Sequence, residues 1–127
     1  TNTATQFAAM AALQGPQDSV EKMRTAFDTR RKAIVAWTNQ IPGMSSILPT
    51  GAFYTMPNIS GTGVSAKAME NFLLETLHIA AIAGTSFGAF GEGYIRFSYA
   101  NSIENIEKAL NRIRDYAGSE GWEKVST

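Results

Sequence analysis

The segment Gly93-Tyr94-Ile95-Arg96-Phe97-Ser98-Tyr99-Ala100 decides the fold of this 127-residue chain. Its side chains alternate, with Ile95, Phe97 and Tyr99 on one side and more polar residues on the other. Because successive side chains of a strand point to opposite faces of a sheet, this alternation predicts a β-strand over residues 94–99 with one buried face. Arg96 then lies on the face opposite the buried one.

Shorter strands are predicted upstream of this segment. Residues 52–56 are short and aromatic, and residues 78–82 form a short apolar run that begins at His78. Both runs are typical of strand material bounded by turn residues. Between the second run and the alternating segment, residues 84–93 contain four glycines. This composition predicts a loop whose backbone adopts unusual conformations or approaches another segment closely.

Helices are predicted on both sides of the strands. Residues 5–13 are rich in alanine, which predicts a short and mostly buried helix, and residues 16–40 carry apolar side chains at helical spacing. At 1.5 Å per residue the second helix is about 37 Å long, which is longer than a core of this size requires. Ser65 and Ser102 are candidate N-caps of two further helices, the last ending at Gly118 before a polar tail. The apolar stripes of these two helices are Met69, Phe72, Leu73 and Leu77, and Ile103, Ile106, Leu110 and Ile113.

This order of elements predicts an α+β fold, with a small mostly antiparallel or mixed sheet packed with helices and preceded by a long helix. The length corresponds to one domain, and 44% hydrophobic with 17% charged residues is typical of a soluble globule. Eleven basic residues balance eleven acidic ones, which argues against nucleic-acid binding. The apolar runs are too short for a membrane span, so we expect a cytoplasmic protein.

Few residues of the chain suit covalent or metal chemistry. It has no cysteine, which excludes disulfides and thiolate chemistry, and His78 is its single histidine. We therefore expect no metal site and interpret His78 as a structural or surface residue. A phosphate-binding role for residues 84–93 is disfavoured, because a strand follows them rather than the N-terminus of a helix.

Arg96 is the candidate binding residue. A guanidinium in the middle of an apolar strand needs a partner, and an anionic ligand would satisfy it. Two alternatives stay open from the pattern alone. Arg96 could face solvent on the polar side of the sheet, or it could pair with an internal carboxylate such as Glu92.

Four motifs carry a resemblance to a known family. They are residues 2–13 (Asn-Thr-Ala-Thr-Gln-Phe-Ala-Ala-Met-Ala-Ala-Leu), residues 49–54 (Pro-Thr-Gly-Ala-Phe-Tyr), residues 83–88 (Ala-Gly-Thr-Ser-Phe-Gly) and residues 93–100. In this order they resemble the C-terminal third of class I pyridoxal-phosphate (PLP) aminotransferases, and the prokaryotic-type aspartate aminotransferases are the most similar. The resemblance extends from Asn2 to about Tyr116. It implies the small domain of a fold-type I PLP enzyme.

The resemblance also implies roles for particular residues. In that family the arginine at the position of Arg96 binds the substrate α-carboxylate, and the segment that contains Phe53 lies near the substrate entrance. The family's Schiff-base lysine and its phosphate ligands belong to an upstream segment. The lysines considered in this chain lie in helical or tail segments outside such a motif; they are Lys32, Lys67, Lys108 and Lys124. We therefore expect substrate binding by Arg96 and Phe53 but no catalytic or cofactor-binding residue in this chain.

The domain organisation and the activity follow from the same resemblance. Residues 1–14 are expected to be the end of the large PLP-binding domain, and residues 15–127 the long linking helix with the C-terminal small domain. The complete protein is expected to be a homodimer that transfers an amino group between an amino acid and a 2-oxo acid, whereas this chain alone is expected to be inactive. The alternative is a non-catalytic module that binds carboxylates or a partner protein.

Overall fold

The computed structural model describes residues 1–125. These described residues form four helices and three short strands, joined by loops and by 3-10 turns. The helices are α1 (Thr3–Gln14), α2 (Asp18–Thr38), α3 (Ala66–Glu75) and α4 (Ile103–Ser119), and the strands are β1 (Tyr54–Thr55), β2 (Ile82–Ala83) and β3 (Ile95–Ser98). None of these helices combines the length and the hydropathy needed to cross a membrane. The α+β class predicted from the sequence is confirmed.

The sheet is antiparallel, and β3 is its central strand. The strand order is β1-β3-β2, with Tyr54 opposite Ser98 and Ile82 opposite Arg96. Strand β3 falls inside the alternating segment, and its alternation is confirmed because Ile95 and Phe97 are buried while the residues between them are not. The sheet is therefore organised around the strand that carries Arg96.

One hydrophobic core fills the space between the sheet and the helices. The apolar stripe of α4 and the inner face of α3 contribute to it together with the buried face of β3 and the end of α2. Helices α3 and α4 begin at the predicted caps, since the Ser65 and Ser102 side chains accept hydrogen bonds from the backbone N–H groups of Ala68 and Asn105. Core residues that are at most 5% exposed include Ile34, Ile41, Ile59, Met69, Leu73, Ile95, Tyr99, Leu110 and Ile113.

The prediction that the first helix is mostly buried is wrong. Helix α1 forms, but none of its residues is buried, and Phe7 and Leu13 are 66% and 83% exposed. Local features support the helix: the Asn2 side chain accepts a hydrogen bond from the Thr5 N–H at 2.8 Å, and the Gly15 N–H closes the last turn on the Ala11 carbonyl. The alanine-rich sequence thus predicted the helix, whereas burial requires a packing partner that residues 1–125 do not supply.

The second helix forms as predicted, but it is two residues shorter at each end than the predicted 16–40, and it is buried only near its C-terminal end. It has 21 residues, of which Ile34, Val35 and Thr38 are buried. Ion pairs between residues three or four apart support the exposed part, for example Glu21 with Arg24 at 2.6 Å. The long helix therefore extends well beyond the core that its last turns help to form.

The predicted strand at residues 78–82 is displaced. Strand β2 covers Ile82–Ala83, and His78 has a left-handed backbone with φ +54°. The Ile79 N–H donates to the Leu73 carbonyl at 2.7 Å, so the chain folds back over the last turn of α3 before β2 begins. His78 is exposed and lies in the turn that follows α3, and its role stays a prediction.

The prediction of a polar tail after Gly118 is also wrong. Trp122 and Val125 are buried in the core, and the Trp122 ring lies 6.3 Å from that of Tyr116. The Trp122 indole N–H donates to the Pro42 carbonyl at 2.8 Å. Two apolar residues in a short polar segment carry no period, so periodicity could not identify their burial.

Candidate functional site

Arg96 lies at the centre of the candidate site because β3 is the central strand of the sheet. Its neighbours Ile95 and Phe97 are buried in the core, so the pleat directs Arg96 to the opposite face, where it is half-buried. Strands on both sides fix the backbone at this point, since β2 pairs with β3 at Arg96 itself and β1 pairs with the next two residues. The guanidinium therefore extends from a rigid part of the fold.

Two aromatic rings contact the Arg96 guanidinium. The guanidinium carbon lies 4.3 Å from the centre of the Tyr54 ring and 4.6 Å from the centre of the Phe87 ring. Both distances are within the range of cation–π attraction. Tyr54 belongs to β1, and Phe87 belongs to the glycine-rich loop, so two separate segments converge on the same side chain.

The N–H groups of Arg96 have no acceptor within the part of the chain that the structure describes. No hydrogen bond or ion pair links the guanidinium to residues 1–125. Glu92, the internal partner suggested by the sequence, instead accepts hydrogen bonds from the backbone N–H groups of Ala66 at 2.8 Å and of Gly93 at 3.1 Å. The pairing with Glu92 is therefore not formed, and the donors of Arg96 remain available to an anion.

The glycine-rich loop places Phe87 beside Arg96. It consists of two 3-10 turns, Gly84–Phe87 and Ala89–Gly91, that lead directly into the region of β3. A Cβ atom at Gly84 would lie 2.2 Å from the Gly91 carbonyl oxygen, and one at Gly91 would lie 1.9 Å from the Gly84 oxygen. The two ends of the loop therefore approach each other as closely as only glycine allows.

Phe53 packs against Tyr54 and so lies close to the site without contacting Arg96. Its ring is 42% exposed and lies 4.4 Å from the Tyr54 ring and 6.2 Å from the Phe27 ring. The structure thus brings Phe53 next to a residue that contacts Arg96. A chain of aromatic contacts joins α2 to the guanidinium through Phe27, Phe53 and Tyr54.

Tyr99 holds the backbone of the Phe53 segment. Its hydroxyl donates to the Ala52 carbonyl at 2.9 Å, and its N–H donates to the Phe53 carbonyl at 2.9 Å. Ala52 has φ +62°, which is uncommon for a residue with a side chain and costs roughly 1–2 kcal/mol. Burial raises the pKa of the Tyr99 hydroxyl, so it stays a hydrogen-bond donor.

Arg31 attaches the same segment to the long helix. Its Nη1 donates to the Pro49 carbonyl at 2.7 Å, and its Nη2 lies 2.6 Å from a carboxylate oxygen of Asp28. Asp28 also pairs with Lys32 at 2.6 Å, and the Lys32 and Arg31 hydrogen bonds lower the pKa of Asp28 to about 2. Sequence reasoning missed Arg31 and the Tyr99 hydroxyl as supports, although a buried tyrosine hydroxyl in a strand is itself a signal for a hidden acceptor.

Two cavities open beside these residues. One of about 640 Å³ lies between α2 and the Phe53 segment, and the other of about 510 Å³ lies on the side of Tyr54. Phe27, Phe53, Arg31 and Tyr99 line the first, and Ile47, Met56, Tyr54 and Phe90 line the second. Both have the size of small-molecule pockets. Within residues 1–125, no three His, Asp or Glu side chains lie close enough together to hold a metal ion.

The lysines named in the sequence analysis do not line these two cavities. Lys32 pairs with Asp28, Lys67 with Glu70 and Lys124 with Glu120, all within their own helices or turns. Lys108 lines a separate cavity of about 340 Å³ next to His78. In the described part of the chain, no lysine lines either of the cavities next to Phe53 and Tyr54.

Comparison with known proteins identifies the family. The model of aminotransferase classes I and II matches residues 1–113, and the chain belongs to that family. Among curated relatives, the aspartate aminotransferase of Pyrococcus horikoshii is 44% identical over 110 residues, which are 85% of this chain and 28% of the relative. The aspartate aminotransferase of Bacillus sp. (strain YM-2) is 44% identical over 116 residues, or 87% of this chain and 29% of the relative.

Solved structures agree with this assignment. The aromatic aminotransferase from Pyrococcus horikoshii superposes with a TM-score of 0.85 at 35% identity, over 94% of this chain and 32% of that one. The aspartate aminotransferase from Rhizobium meliloti has a TM-score of 0.78 at 32% identity, over 85% of this chain and 29% of that one. The resemblance stated on the motifs is therefore confirmed, and the chain corresponds to somewhat less than a third of the length of these proteins.

The family implies pyridoxal phosphate as cofactor. Residues 1–125 do not fit this group, because no lysine amine that could bond its aldehyde lines the two cavities next to Phe53 and Tyr54. The arginines that line the first cavity, Arg24 and Arg31, are already paired with Glu21 and Asp28. What the described residues do provide is a guanidinium with free donors next to aromatic surfaces. Such a guanidinium can bind an anionic group by two parallel N–H···O hydrogen bonds.

Proposed function

We propose that this chain is the small-domain part of an aminotransferase and that Arg96 binds the α-carboxylate of its substrate. The observation that carries the proposal is the Arg96 guanidinium, which is held on the central strand with no acceptor in residues 1–125. A carboxylate is planar and anionic, so two parallel N–H···O hydrogen bonds match the fork of a guanidinium. Phe53, which packs against Tyr54, is proposed to line the entrance to the same site.

Fixing the carboxylate serves the transfer reaction. Two hydrogen bonds fix the plane and the direction of the carboxylate, so the α-carbon is held at a defined position relative to the reacting group. In the complete protein we propose transfer of an amino group between an amino acid and a 2-oxo acid, with aspartate as the preferred donor. The names of the relatives in Pyrococcus horikoshii and Bacillus sp. support aspartate. The carboxylate common to all α-amino acids cannot select among them.

The remaining catalytic parts are proposed to lie elsewhere in a longer polypeptide. Relatives are more than three times as long as the matched region, since it covers 28% of the first of them. A cofactor lysine upstream of Thr1 and an inactive isolated chain follow from this proposal. We also propose that the complete protein is a cytoplasmic homodimer.

The exposure of the N-terminal residues supports a division into two domains. Residues 1–14 are proposed to belong to the end of a large domain, and residues 15–127 to form the linking helix and the small domain. Helix α1 has no buried residue, and the buried residues of α2 occur only from Ile34 onward. An apolar helix without a core of its own is typical of an element that packs on another domain.

Carboxylate binding can be tested on this chain by NMR. Sodium propionate is titrated at constant ionic strength, and the Nε–H resonance of Arg96 is identified as the one that is missing from Arg96→Lys. We expect this resonance to shift in a saturable manner, and Arg112→Lys, a change on the exposed face of α4, to leave the titration unaltered. A resonance that does not move, or that moves equally for every exposed arginine, would contradict the proposal.

The second candidate function is a non-catalytic module that binds carboxylates or a partner. The mass of the native gene product distinguishes this module from the aminotransferase. An aminotransferase needs additional polypeptide that carries the cofactor lysine, whereas a binding module does not. An antibody raised against this chain is used to detect the product in the source cells. A species several times heavier than 13.7 kDa supports the aminotransferase, and a species of 13.7 kDa supports the module.

A further inference from the structure

We propose that Tyr54 and Phe87, which we call the ring pair, are positioning residues that orient the Arg96 guanidinium before a carboxylate arrives. The inference rests on the proposed carboxylate-binding role of Arg96 and extends it to two residues that would not themselves contact the substrate. Phe87 belongs to one of the motifs by which the family is recognised, and the carboxylate-binding role of Arg96 leaves that ring without a function. The geometry assigns it one.

The rings contact the guanidinium from two different segments. Tyr54 is in strand β1 at 4.3 Å, and Phe87 is in the glycine-rich loop at 4.6 Å from the guanidinium carbon. The aromatic pairs that lie in contact in the described chain include Tyr54 with Phe53, but they do not include Tyr54 with Phe87. The two rings therefore flank the guanidinium rather than forming one aromatic stack beside it.

The ring pair supplies contacts that orient the side chain. Arginine has a long side chain, and ordering it on binding costs affinity. In residues 1–125 no hydrogen bond or ion pair fixes the Arg96 guanidinium, so the cation–π contacts perform that task. Ring faces attract the cation without using its N–H donors. The guanidinium is thus held in place while its hydrogen-bonding capacity stays available.

Phe87 is not explained by core packing. Its ring is 54% exposed, and it is not part of the hydrophobic core. The close approach of Gly84 and Gly91 fixes the loop that carries it, so a constrained backbone presents a largely exposed aromatic ring to Arg96. Phe90, three residues later in the same loop, is fully exposed and makes no cation–π contact in the described part of the chain. Phe90 is therefore a matched control for Phe87.

The test uses the 127-residue chain and the propionate titration at the Arg96 Nε–H resonance. The variants are Phe87→Leu, Tyr54→Leu, the conservative Tyr54→Phe and the control Phe90→Leu. A second readout is the heteronuclear NOE of the Arg96 Nε without propionate, which reports the order of the guanidinium on the picosecond to nanosecond timescale. Overlay of the backbone amide spectra checks that each variant keeps the fold.

We expect Phe87→Leu and Tyr54→Leu each to raise the Kd for propionate about threefold and to lower the Arg96 NOE, because each change removes one exposed cation–π contact. Tyr54→Phe keeps a ring, and Phe90→Leu alters a ring that lines the cavity next to Tyr54 but has no cation–π contact with Arg96, so both should behave as the unmodified chain. An unchanged Kd and NOE in Phe87→Leu would overturn the inference. If propionate shifts no Arg96 resonance in the unmodified chain, the proposed function fails, and the NOE of the variants still decides whether the ring pair orders the guanidinium.

Discussion

The N-terminal arm, residues 1–25, and the body, residues 34–125, differ in what stabilises their structure. Every residue of the arm is exposed except Gly15, which is half-buried. All residues of the hydrophobic core belong to the body. The arm is helical through composition, caps and i,i+3 ion pairs, all of which are local. The body is held by burial around β3. Composition, capping and nearby ion pairs are thus enough to make these residues helical. A helix becomes part of a hydrophobic core only when another element packs against it.

The same difference has a functional counterpart. The candidate site is built on the body, where β3 and the core fix Arg96 and Tyr99. The arm presents Phe7, Met10 and Leu13 to solvent instead. A helix of 12 residues with no packing of its own is marginally stable in water. This supports the proposal that the arm packs on another domain of a longer protein.

The largest expected effect is on the free energy of unfolding, when a leucine is replaced by alanine in the body and, for comparison, in the arm. Leu73→Ala, in the body at 0% exposure, should lower the free energy of unfolding by about 2–5 kcal/mol, because it leaves a cavity in the core. Leu13→Ala, at 83% exposure in the arm, should change it by less than about 0.5 kcal/mol. Urea denaturation followed by circular dichroism measures both. Equal losses would mean that the arm is packed in this chain and that the comparison is wrong.

A smaller effect is expected where the body supports the Phe53 segment. Tyr99→Phe removes the hydrogen bond to the Ala52 carbonyl and should cost about 1 kcal/mol of stability, while the aromatic packing against Phe27 is kept. The loss should be accompanied by chemical-shift changes confined to residues 50–54. Urea denaturation and amide spectra report the two effects. A stability equal to that of the unmodified chain would show that the hydroxyl does not hold this segment.

The smallest effect concerns the junction between the regions, where Asp28 pairs with Arg31 and Lys32. The pKa of Asp28 is lowered from 3.8 to about 2, so its contribution to stability is present above pH 3.8 and is lost as the pH falls toward 2. Asp28→Asn should therefore be less stable than the unmodified chain at pH 7 and equally stable near pH 2. Thermal melts at both pH values test this. A stability difference that does not vary with pH would contradict it.

The sequence predicted the elements that depend on period and caps. Local patterns predicted the strand around Arg96, the helices that begin after Ser65 and Ser102, and the presence of α2 within residues 16–40. The burial of α1 was mispredicted because burial depends on a second surface that packs against the helix. The apolar residues of a helix do not show whether this surface belongs to the same chain segment. Trp122 was missed for a related reason, since its acceptor is the carbonyl of Pro42, 80 residues away.

The site was predictable in its centre but not in its surroundings. Arg96 could be singled out because a charged residue interrupted an apolar strand, yet the pattern could not decide between Glu92 and a ligand as its partner. In the structure Glu92 is not the partner of Arg96, because its carboxylate accepts hydrogen bonds from the N–H groups of Ala66 and Gly93. Phe87 could not be found from the sequence, because its approach to Arg96 depends on the three-dimensional path of a loop with four glycines.

The most direct test of the central claim is the kinetics of the native gene product with Arg96 replaced by lysine. A single ammonium cannot reproduce a two-point contact with a carboxylate, so kcat/KM for amino-group transfer should fall by about 100-fold or more, which corresponds to at least about 2.7 kcal/mol. The absorbance of bound pyridoxal phosphate should stay unchanged, because Arg96 is assigned to the substrate. An unaltered kcat/KM in Arg96→Lys would contradict the account.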